Sequence, residues 1–71
     1  MSKTQETLDR LPENTSATIK RFKKDYEDHR DWSDTWRDGI RQNAIGYLNA
    51  LNDTGFISDT ERRLLFIYIT L

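Results

Sequence analysis

The stretch that most constrains this chain is its end, GFISDTERRLLFIYITL, from Gly55 to Leu71. Gly55 is a helix-stop signal, because glycine enters the left-handed region that closes helices without a Cβ penalty. Ser58-Asp59-Thr60-Glu61 follows, a Ser-x-x-Glu capping box with an acid at the first helical position. Leu64 to Ile69 are then all apolar, and Leu71 extends the run. As a helix this segment points Leu65, Phe66, Ile67, Tyr68 and Ile69 all round, and only Arg63, Thr70 and the capping turn stay polar. A helix apolar on every side has to be buried. The competing reading is a strand, FIYITL, of high β-propensity. The capping box, and the lack of any partner strand elsewhere, favour helix.

Little material is available to bury it. Seventy-one residues make one domain near the lower limit for a self-sufficient core. Six Ile and no Val, with Leu, Ala, Lys, Arg and Glu abundant, lean the chain towards helix. It is 32% charged with a mean hydropathy of -0.86, yet a net charge of -1 gives no repulsion to keep it unfolded. With no cysteine, disulfides and thiolate metal sites are excluded. MSKTQETLDR lacks the apolar core of a signal peptide, and the final run is well short of the ~20 apolar residues that span a bilayer. A cytoplasmic protein without membrane contact is the expectation.

Before that last segment the pattern predicts two more helices. Over roughly 15–30, Ile19, Phe22 and Tyr26 share a face, with Asn14, Thr15 and Ser16 as candidate caps. Alternatively Pro12 opens this helix, where a missing N–H costs nothing. Its outer face is basic and then acidic, with Arg21–Asp25, Lys23–Glu27 and Lys24–Asp28 as i, i+4 pairs. Ser33 caps the second helix, roughly 33–53, whose apolar arc is Trp36, Ile40, Ala44, Tyr47, Leu48 and Leu51. Beside that arc, Gly39, Asn43, Gly46 and Ala50 form a face of small residues suited to close approach by a neighbour. This long helix is the expected centre of the fold, with Ile45 on its far side, exposed or reserved for a partner. Residues 1–14 are least committed: Ser2 and Gln5 have capping-box spacing, but Pro12 interrupts, and a frayed arm is favoured over a short helix. The fold class is therefore all-α: a three-helix bundle over 15–71, helices near 15–30, 33–53 and 58–70, with a short N-terminal arm or helix.

No catalytic constellation accompanies this frame. His29 is the only histidine, so it lacks a histidine partner for catalysis or metal binding, and its acidic surroundings read as a solvated helix end. Ser2, Ser16, Ser33 and Ser58 read as caps or turn residues with no base to activate them. Gly39, Gly46 and Gly55 are too widely spaced for a phosphate loop. The expectation is a non-enzyme with no cofactor and no metal.

Two helices with one apolar face each are too little to cover the last one, where burying Leu64, Leu65, Phe66, Ile67, Ile69 and Leu71 is worth roughly 1.5–3 kcal/mol apiece. Surplus apolar surface marks an interaction site. The sequence thus predicts a small regulator or adaptor that binds another protein or itself, most simply as a two-fold dimer with the last helices near the axis. Trp32, Ile45, Phe66, Ile67 and Leu71 are its candidate contact residues, while Trp36 is expected in the core. Nucleic-acid binding through Lys20, Arg21, Lys23 and Lys24 is the alternative, limited by the acids one turn later. A third reading has the acidic segment Asp25 to Asp38 present itself to a basic protein surface.

Overall fold

The stop and start signals act where the sequence places them. In the computed structural model, which describes residues 2–71, four helices follow one another: α1 (Lys3–Arg10), α2 (Glu13–Asp28), α3 (Asp34–Asp53) and α4 (Asp59–Thr70). Gly55 has φ +83°, and the N–H groups of Gly55 and Phe56 donate to Asn52 and Leu51 at 3.1 and 2.9 Å. These are the paired bonds of a Schellman motif, which satisfies the last carbonyls of α3. Ile57 then plugs the turn into the core while Phe56 stays half-exposed. Both halves of the Ser58–Glu61 capping box are made, so the C-terminal run is helix and not strand.

The N-terminal segment departs from the favoured arm. Lys3–Arg10 is helical, with Ser2 Oγ accepting from Gln5 N and with Leu8 and Leu11 buried. A helix of this length is unstable alone; here packing supplies what propensity does not. Pro12 is the N-cap of α2, which starts two residues earlier than Thr15. Asn14 and Thr15 are therefore helical residues, not caps. Ser16 turns inward, its hydroxyl donating to the Leu8 carbonyl at the end of α1.

The centre of the fold is α4, not the longer α3. Each of the other three helices packs against it. Leu65 and Ile69 are fully buried, among Leu8, Leu11, Ile19, Ala44, Leu48 and Ile57, with Phe22, Tyr47, Leu51, Phe66 and Tyr68 packed around them. The missing cover for α4 is thus largely α1. Small residues on α3 seat no neighbour among the described residues: Asn43 and Ala50 are exposed, and a Cβ built on Gly39 or Gly46 would meet nothing within 4 Å. Ala44 and Leu48 are the positions of α3 that are buried. Trp36, expected in the core, is 56% exposed, because it lies on the stretch of α3 before Ala44, in which no residue is buried.

Polar side chains fasten α4 at both ends. Glu61 is buried at its start, one carboxylate oxygen accepting the Ser58 N–H at 2.8 Å. The other accepts from Thr7 Oγ1 at 2.9 Å and Arg10 Nη2 at 2.6 Å. Arg10 also donates to the Phe56 carbonyl, so one guanidinium joins α1, the α3–α4 turn and α4. The Ser58 N–H, with Arg10 and Thr7 outweighing the cost of burial, lowers the Glu61 pKa to about 2. At the other end, Lys23 Nζ donates to the Tyr68 carbonyl at 2.9 Å and Arg30 donates to that of Leu71. Cations at the final carbonyls complement the helix dipole.

Candidate functional site

Grooves are left wherever two cylinders of side chains meet without a third to cover the seam. One such seam, of about 420 Å³, runs between α3 and α4 and is lined by Ile45, Leu48, Asn49, Arg62, Arg63, Phe66 and Ile67. Each contributor has a local cause. Ile45 is one residue past the buried Ala44 and three before the buried Leu48, so it lies on the flank of α3 that turns to α4. Phe66 and Ile67 follow the buried Leu65, which puts them at the rim of α4, Phe66 half-buried and Ile67 52% exposed. Arg62 and Arg63 lie one turn earlier. Neither has an ion-pair partner among the described residues, whereas Arg10, Lys23, Lys24, Arg37 and Arg41 all do.

Of the five contact residues expected from sequence, the fold brings Ile45, Phe66 and Ile67 into this seam. Leu71, 70% exposed, lies one turn beyond Ile67 and with it borders a smaller seam between α4 and α1, alongside Gln5, Leu64 and Tyr68. Trp32 is elsewhere. At the α2–α3 corner it meets Trp36 edge-on, ring centroids 5.3 Å apart, with His29 4.5 Å from it, also edge-on. The apolar arc of α3 predicts Trp36 in the core, whereas it stands in this corner beside Trp32. The Thr7–Arg10–Glu61 knot was not anticipated; its one legible sign was Glu61 in the capping box, whose second oxygen was left unaccounted for.

The basic patch is thinner than its sequence suggests. Lys23 is drawn onto α4, on the Tyr68 carbonyl and 4.7 Å from the centroid of its ring, and it also pairs with Glu27 at 3.4 Å. Lys24 pairs with Asp28 at 3.6 Å, while Arg21–Asp25 makes no ion pair. Lys20 and Arg21 remain exposed. Among the described residues no three His, Asp or Glu side chains are grouped to hold a metal ion, and no helix is long and apolar enough to cross a membrane. Comparison with family models, with curated proteins and with solved structures returns no match.

Proposed function

We propose that this chain is a small non-catalytic regulator or adaptor that acts by protein–protein contact and associates with a second copy of itself across the outer edge of α4. The observation that supports this reading is the stripe Arg63, Ile67 and Leu71, at i, i+4 and i+8, which stays exposed on a helix whose other faces are covered. An antiparallel two-fold crossing at Ile67 sets apolar residue on apolar residue at the axis. It lays Arg63 of each copy beside the last turn of its mate's α4, where a cation complements the helix dipole. The two Arg63 side chains are then roughly 12 Å apart along the axis, at 1.5 Å per residue, which exceeds the screening length in physiological salt.

The stripe by itself is too small. A standard interface takes about 800 Å² from each partner, roughly a sixth of the 4763 Å² exposed here. Ile45, Asn49 and Phe66 must therefore join it, which makes the α3–α4 seam part of the same contact. Phosphate binding through Lys20, Arg21, Lys23 and Lys24 has less support, since Lys23 and Lys24 are already engaged. Sedimentation across a micromolar concentration series tests the proposal: wild type is expected to self-associate, and Ile67→Glu to remain a monomer with unchanged helical circular dichroism. A wild type that is monomeric at high micromolar concentration overturns it.

A further inference from the structure

The α2–α3 corner carries a second surface, independent of the dimer reading. His29, Trp32 and Trp36 form one aromatic cluster there. The His29 ring stacks nearly parallel to Trp36, at 13° and 6.0 Å, while Trp32 stands edge-on to both. The His29 ring is held in place, its Nδ1 donating to the Asp25 carbonyl at 2.7 Å. Packing explains the cluster poorly: Trp32 and Trp36 are 50% and 56% exposed, and neither is in the core. Two large indoles, each at least half exposed beside a fixed third ring, present aromatic surface to solvent.

Charge states which ligand. Residues 25–38 hold six acids, Asp25, Glu27, Asp28, Asp31, Asp34 and Asp38, against Arg30 and Arg37, a net charge of four negatives. The remainder of the chain has nine bases and six acids, a net of three positives; of the six acids in the corner, Glu27, Asp28 and Asp38 pair with Lys23, Lys24 and Arg41 just outside the stretch. Its own two bases are occupied: Arg37 pairs with Asp34, and Arg30 donates to the Leu71 carbonyl. Asp25 and Asp31 have no ion-pair partner among the described residues. Among the described residues, cations over aromatic rings sit at Tyr26 and Tyr68 and none at either tryptophan. Aromatic faces next to unpaired carboxylates attract guanidinium and ammonium groups through the ring quadrupole and by direct charge.

We infer that this corner binds an arginine-rich basic segment of another protein, with a guanidinium on the Trp32–Trp36 pair and further bases on Asp25 and Asp31. These are the chain's only tryptophans, so intrinsic fluorescence reports on this surface alone. The full chain is titrated at low ionic strength with a capped hexa-arginine peptide, and with hexa-glutamate as control. Saturable change in tryptophan emission with hexa-arginine and none with hexa-glutamate is expected. Trp32→Leu, which leaves every charge in place and Trp36 as reporter, should weaken binding roughly tenfold, as should Asp31→Asn, which leaves both indoles. Circular dichroism identifies any variant that fails to fold; for such a variant Trp32→Phe and Asp25→Asn take its place. Binding that Trp32→Leu leaves unchanged, or no saturable change in emission, overturns the inference. It is also overturned if the protein alone shows concentration-dependent tryptophan emission that Arg62→Ser with Arg63→Ser abolishes, since the corner's ligand is then a second copy's α4.

Discussion

Glu61 accepts hydrogen bonds from Ser58 N–H, Thr7 and Arg10 at once, and its chemistry sets an acid limit on the fold. Its carboxylate has an ordinary pKa of 4.5 in the unfolded chain and about 2 in the folded one. The unfolded state therefore binds the proton more readily, and the stabilisation is complete above the unfolded value. It is lost progressively as pH falls from about 4.5 to about 2. Urea unfolding followed across that range should show a falling midpoint in wild type and a flatter profile in Glu61→Gln. At neutral pH that variant should be less stable by roughly 1–3 kcal/mol, the worth of charge-assisted hydrogen bonds in a buried setting. Two glycines make a contrasting pair. Gly55→Ala forces an L-residue to φ +83° and should cost about 1–2 kcal/mol. Gly46→Ala adds a methyl group in open space to a helix interior and should gain roughly 0.5–1 kcal/mol. Thermal melts of both variants check the signs. Their difference is legible in sequence only in part: Gly55 sits before a capping box and declares its turn, whereas nothing in the spacing of Gly39 and Gly46 says whether another helix lies over them.

At the scale of elements, α4 was the most readable part of the chain and α1 the least. The capping box and the unbroken apolar run identify α4 through local interactions, which a sequence displays directly. The helix α1 owes its existence to Leu8 and Leu11 packed in the core and to Arg10 and Thr7 on Glu61, contacts more than fifty residues away along the chain for the last two. Leu8→Ala should cost about 2–5 kcal/mol and release α1. Amide hydrogen exchange should then show protection lost in residues 3–10 together with the start of α4, rather than in α1 alone. Trp36 failed for a related reason. An apolar arc does not say how far along a helix the neighbours extend, and no residue of α3 before Ala44 is buried.

For the whole molecule, the surplus that first suggested a partner shrinks once α1 takes its place, leaving a narrow stripe and a seam instead of a bare face. The sequence names contact residues by which apolar side chains the bundle has no room for; Ile45, Phe66 and Ile67 among them line one seam. It could not have placed Trp32, whose surroundings depend on how the α2–α3 corner turns. Because the central helix is the last of the four to be synthesised, a nascent chain that has emerged only as far as Gly55 holds α1, α2 and α3 without the helix that all three pack against. Thr7 and Arg10 wait for Glu61, and Lys23 and Arg30 for the carbonyls of Tyr68 and Leu71. Translation should therefore yield a protease-sensitive coil until α4 emerges and a resistant fold soon after it does, so a stop codon anywhere within α4 produces a substrate for degradation rather than a partly working protein.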